Sequence, residues 1–184
     1  MARKDDKLKQ KPKKEFDEVL LEVRRVTRVT TWWRQLSFRA IILVGNKKGK
    51  IGLWIAKGSD VTIAVSKATR DAYKNVIESP LTANQSIPYP ILRKYKAAVV
   101  KLLPAGPGTG LKAGSSVRMV LELAGYNNML SKIMGTNNKL NNALATIEAL
   151  GAFKDGKSPK KKEVAVTAEQ EPEETAAIAE EAVA

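Results

Sequence analysis

The chain has 184 residues, 43% of them hydrophobic, which suffices for one ordinary domain or two small ones with real cores. A formal net charge of +13 and an isoelectric point near 9.9 point to a polyanionic partner, nucleic acid by default, because such self-repulsion is poorly tolerated without counter-charge. The absence of Cys and His closes disulfides, thiolate nucleophiles, imidazole bases and nearly every zinc or redox-metal ligand set, so no enzyme, cofactor or metal site is expected.

Residues 1–14 hold seven Lys or Arg against Asp5 and Asp6 without apolar periodicity, which predicts a disordered basic arm. They contain no apolar signal segment, and the longest aliphatic run, 40–44, falls far below the ~18 residues of a membrane span. A cytoplasmic protein without membrane contact is expected. Over 16–29, Val19, Leu20, Val23 and Val26 mix with charges and the second half alternates, which predicts a short helical start passing into a strand. The apolar, β-branched run 37–44, the turn Gly45-Asn46-Lys47-Lys48-Gly49 and the apolar run 50–56 predict a β-hairpin with a lysine-rich tip. Ser59 and Asp60 offer N-caps to a helix with Val61, Ala64, Val65, Ala68, Ala72 and Val76 at helical spacing, ending at Ser79-Pro80.

Pro80, Pro88 and Pro90 with polar neighbours predict a linker at 81–90. A second apolar strand pattern, 97–103, stops at Pro104-Ala105-Gly106-Pro107-Gly108-Thr109-Gly110. Ser115 or Ser116 caps a helix through Val117, Val120, Leu121 and Leu123 to Gly125. Residues 126–134 read as a strand, and Thr136-Asn137 opens a last helix through Leu140, Leu144, Ile147 and Leu150. The order is β, α, β, α, without internal repeat. Beyond it, 154–162 holds five Lys and one Asp, and 163–184 holds seven Glu and no basic residue. The expected organisation is a basic arm 1–14, a first domain 15–80, a linker 81–90, a second domain 91–153 and a disordered tail 154–184, basic and then acidic.

Basicity is not confined to the ends: 15–153 has 20 basic and nine acidic residues. From 23 to 59 there is no Asp or Glu, but there are Arg24, Arg25, Arg28, Arg34, Arg39, Lys47, Lys48, Lys50 and Lys57. Solvated surfaces mix signs, so this block marks an RNA face whose cations neutralise phosphates and release counterions. Arg39 borders an apolar strand and can equally serve the fold. Trp32 and Trp33 offer rings for stacking on unpaired bases; neighbours in an extended loop point oppositely, so one ring is expected on RNA and the other on the core. Trp54 lies on the strand face opposite Ile51, filling the core or capping the sheet. The glycine-rich loop invites a phosphate-cradle reading, but Gly110-Leu111-Lys112-Ala113 lacks a P-loop ending, and a tight turn accounts for it better. Glu122 and Glu148 read as surface charge.

Several segments in one order resemble the fifth protein of the bacterial-type small ribosomal subunit. They are Val44-Gly45-Asn46-Lys47-Lys48-Gly49-Lys50-Ile51-Gly52, the 104–110 loop leading to Ala113-Gly114-Ser115-Ser116-Val117-Arg118, Val120-Leu121-Glu122-Leu123-Ala124-Gly125, and Gly135-Thr136-Asn137-Asn138. The likeness covers 16–153. It implies an α+β protein: an N-terminal domain similar to the double-stranded-RNA-binding fold and a C-terminal β-α-β-α domain with a left-handed crossover. It further implies a non-enzymatic constituent of the small ribosomal subunit that binds ribosomal RNA and the fourth and eighth proteins near the messenger RNA path, supporting assembly and decoding accuracy. Gly110 and Arg118, with Gly108 in the same loop, match the contact with the fourth protein. The chain departs from the family at Thr31-Trp32-Trp33-Arg34, where members carry Lys-Gly-Gly-Arg, and at Trp54-Ile55-Ala56, where they carry Gly-aromatic-Gly. The first of these is the loop that in the family touches RNA near the spectinomycin site.

Overall fold

The computed structural model describes residues 15–153; the arm, 1–14, and the tail, 154–184, lie outside the described residues. Strands β1 (Asp17–Val29), β2 (Arg34–Gly45), β3 (Lys50–Gly58) and β4 (Val76–Glu78) form an antiparallel sheet in that order, with α1 (Val61–Lys74) joining β3 to β4. Strands β5 (Ile91–Tyr95), β6 (Ala98–Pro104), β7 (Leu111–Lys112) and β8 (Met129–Met134) form a second sheet in the order β5-β6-β8-β7. It is joined by α2 (Ser115–Ala124) and α3 (Lys139–Gly151), and only β7 and β8 pair in parallel. Among the described residues no helix is long and apolar enough to cross a membrane.

The continuous apolar run in β2 arises because both faces of the first sheet are covered. Ile42 and Val44 face the alanine stripe of α1, Ala68 and Ala72. Ile41 and Leu43 point the other way and join Ile51 and Leu53 of β3, Val117, Val120 and Leu121 of α2, and Val100 and Leu102 of β6 in a single cluster. Each such buried aliphatic contributes about 1.5–3 kcal/mol. The two sheets therefore share one core, with α2 between them.

The hairpin tip locks this arrangement. The backbone N–H groups of Lys47 and Gly49 donate to the carbonyls of Leu123 and Ala124, at 2.9 and 2.8 Å, satisfying groups that the end of α2 would leave unpaired. Asn46 shapes the tip by accepting from the backbone N–H of Lys48 and Lys50. Nearby, buried Tyr126 donates its hydroxyl to the Pro80 carbonyl at 2.9 Å and accepts from the Ser79 hydroxyl at 2.8 Å. Burial pushes its phenol above the ordinary range, with Ser79 pulling the other way. Tyr126→Phe strands the Ser79 hydroxyl and the Pro80 carbonyl, an expected cost of about 1–3 kcal/mol. An unchanged urea midpoint would contradict it.

Several local expectations are corrected. No helical start precedes β1: the strand begins at Asp17, and a bulge between Leu20 and Glu22 breaks its alternation, which gave the apolar residues their helix-like spacing. The helix expected to run to Ser79-Pro80 stops at Lys74, and Val76–Glu78 instead pairs with the free edge of β3. In 126–134 only Met129–Met134 is strand, and α2 is capped at Gly114 rather than Ser115 or Ser116. Asn138, not Thr136-Asn137, caps α3, accepting from the Leu140 N–H. Strands β5 and β7 are additions to the expected order. Residues 81–90 pack against the second sheet's loops: Ile87 is buried, and the Gln85 carbonyl accepts from Asn127 and Asn128.

Candidate nucleic-acid interface

Register decides which cations meet. In the first sheet Arg24 lies directly opposite Arg39 on β2, and Arg39 directly opposite Lys57 on β3. Directly paired residues share a face, so these three form a like-charged row across three strands, next to the buried Ile41. Two residues further along the same face are Val26 and Ser37, and two beyond those are Arg28 and Gln35. Like charges directly opposite each other cost roughly 0.2–1 kcal/mol in a sheet. One acid moderates the row: Glu22 takes the Arg24 guanidinium at 2.9 Å and lies 3.8 Å from Lys139 at the start of α3. The Nε of Arg39 is buried without a hydrogen-bond partner among the described residues. A buried donor of this kind is costly until an acceptor, a water or a ligand oxygen, reaches it.

Arg25 and Arg34 lie on the opposite face, paired with Phe38 and Val29. Past Phe38, which pairs with the last residue of β3, the ends of β1 and β2 continue as a two-stranded ribbon with no third strand. Trp32 and Trp33 sit at its tip, 93% and 70% exposed. The expectation that one ring would pack on the core is therefore wrong: the ribbon overhangs the body, and neither ring has a core within reach. The loop itself is ordered, with the Thr30 and Trp33 backbones and the Thr30 hydroxyl bonded to one another. Trp54, 41% exposed, caps the sheet rather than filling the core.

Lys47, Lys48 and Lys50 lie at the far end of β2, roughly 35 Å from the ribbon tip at about 3.3 Å per residue. They do not join the arginine row. Lys47 pairs with Asp17 at 2.7 Å and Lys50 with Glu78 at 2.8 Å. In each, the hydrogen bond to the carboxylate raises the lysine pKa, and Glu78 is correspondingly lowered. The backbone of this tip holds α2, so its first task is structural. On the second domain, Gly108 and Gly110 adopt positive φ, 86° and 74°, with open space where a side chain would project. Arg118 is exposed on α2, held by Glu122 at 2.7 Å. Sequence reasoning missed Arg39 as a partner of Arg24 and Lys57, since the residues are distant in the chain and only strand register joins them.

Two family models match: "Ribosomal protein S5, N-terminal domain" over residues 16–80 and "Ribosomal protein S5, C-terminal domain" over 93–166. Among curated relatives, small ribosomal subunit protein uS5 of Acaryochloris marina is 45% identical, covering 83% of this chain and 85% of its own. The uS5 protein of Thermotoga neapolitana is 48% identical over 77% and 79%, and the uS5c protein of Rhodomonas salina 46% over 80% and 88%. With two matched domains in family order and these identities, the chain belongs to the ribosomal protein S5 family, structural and non-enzymatic components of the small ribosomal subunit.

Proposed function

We propose that this chain is a ribosomal RNA-binding scaffold of cytoplasmic ribosomes, and the observation that carries the reading is the like-charged row Arg24, Arg39 and Lys57. A folding cost borne by three aligned cations is offset when phosphates lie across them. Arg28 extends the row, while Arg25 and Arg34 serve a second approach along the ribbon, and Lys48 adds to the positive field. Residues 15–80 act as a domain similar to the double-stranded-RNA-binding fold, which a three-stranded antiparallel core with one covering helix supports. Residues 81–90 link it to the second domain, 91–153, where the unit β7-α2-β8 carries the left-handed crossover. Gly108, Gly110 and Arg118 form the contact with the fourth small-subunit protein. The eighth protein and the messenger RNA path lie close by, so the chain supports assembly and decoding accuracy.

The test is whether the endogenous protein sediments with small subunits and stays through a moderate salt wash. Its loss into the free fraction would end the reading. The tryptophans give a second check. Trp32→Ala removes a ring that buries nothing in the protein, so the thermal midpoint is expected to hold while affinity for loop RNA falls by about 1–3 kcal/mol. A lower midpoint with unaltered RNA binding would assign the ring to the fold.

A further inference from the structure

The second sheet has a bare face. Val100, Leu102 and Met129 point into the core beneath α2 and α3, so the alternate residues of the same strands point away from both helices. None of the four strands contains Asp or Glu. Lys101 on β6 lies directly opposite Lys132 on β8, a further like-charged pair, and neither lysine has an ion partner among the described residues. Pairing places Lys94 opposite Val99, one step along this face from Lys101, and Lys112 opposite Leu130, one step from Lys132. The outcome is one lysine on each strand, in a diagonal band about 20 Å long at ~4.8 Å between strands and ~6.8 Å between rows.

We propose that this face is a separate RNA contact, distinct from the arginine row, which takes the sugar-phosphate backbone of a duplex and reads no bases. The proposal rests on the scaffold reading given above and adds a site to it. An acid-free diagonal band of this length spans several successive phosphates of a nucleic-acid strand. Base readers on open sheets stack unpaired bases on aromatic rings. Every aromatic residue of these strands is absent from this face: Tyr95, the only one, pairs with buried Ala98 on the covered side. The exposed neighbours are instead Leu92 and Met134, 51% and 38% exposed, which give a smooth apolar bed beside the charges.

The full-length protein is titrated with two RNA duplexes of unrelated sequence across a range of salt. For Lys101→Gln with Lys132→Gln, the salt slope is expected to fall by about 1.4–1.8, and affinity at 0.1 M salt roughly 30-fold, equally for both duplexes. The thermal midpoint is expected to hold or rise, since a repulsive pair is removed. An unchanged slope with both duplexes overturns the proposal, as does a loss confined to one sequence. It is overturned equally if RNA binding is untouched while assembly with a ribosomal protein weakens, which would make the face a protein contact. If the unaltered protein shows no salt-dependent RNA affinity, the scaffold reading fails; if it binds and only this double variant is silent, the inference alone fails.

Discussion

Gly125→Ala is expected to lower the folding free energy by about 2–5 kcal/mol. Two independent causes add. Gly125 follows α2 at φ +96°, a left-handed conformation that costs an ordinary residue about 1–2 kcal/mol. A Cβ there would also come within 2.2 Å of the Lys47 carbonyl oxygen, backbone of the hairpin tip that can withdraw only by releasing its bonds to Leu123 and Ala124. Gly45→Ala isolates the steric part: its Cβ would meet the Leu123 carbonyl oxygen at 2.4 Å, again backbone. Overpacking of this kind costs about 1–3 kcal/mol. Gly106→Ala is the control, with nothing within 4 Å of the added atom. Urea midpoints should therefore fall in the order Gly106→Ala, Gly45→Ala, Gly125→Ala. Equal midpoints for all three would mean that the tip and α2 do not meet in solution.

That junction was invisible in the sequence, although its residues were not. The hairpin over 37–56 could be read because a continuous apolar run, a Gly-Asn-Lys-Lys-Gly turn and a second apolar run are local signals. That Gly45 and Gly125 let two backbones touch is a fact about pairs far apart in the chain. The same division explains the errors. Val76–Glu78 has a helical pattern in isolation, and the edge of β3 overrides it. Leu21 adds one residue to β1, so the alternation that marks a strand is lost where the strand begins. In the site, the acid-free block announced an RNA face, but its members divide between two faces and two ends of a sheet. Arg39, which the sequence leaves open between RNA and the fold, is the centre of the row, while Lys47 and Lys50 of the tip are engaged with Asp17, Glu78 and α2. The exposure of both tryptophans is not legible locally, because nothing in the residues around them says that β1 and β2 outrun β3.

The combined change Arg28→Gln, Arg39→Gln and Lys57→Gln is expected to reduce the salt slope of RNA binding by about 2.1–2.7, at 0.7 to 0.9 per phosphate contact. At 0.1 M salt this is about a 100- to 500-fold loss of affinity, or roughly 3–4 kcal/mol. Arg39 and Lys57 face each other across β2 and β3, so the same change removes a repulsion from the folded sheet. Stability and affinity should consequently move in opposite directions: the urea midpoint stays or rises as binding collapses. Arg39→Lys alone separates charge from geometry. It keeps the positive charge but loses the buried Nε that lacks a partner among the described residues, so it should weaken binding with little effect on the slope. If the triple variant lost stability along with affinity, the row would be a piece of the fold's own packing, and phosphate recognition would have to reside elsewhere.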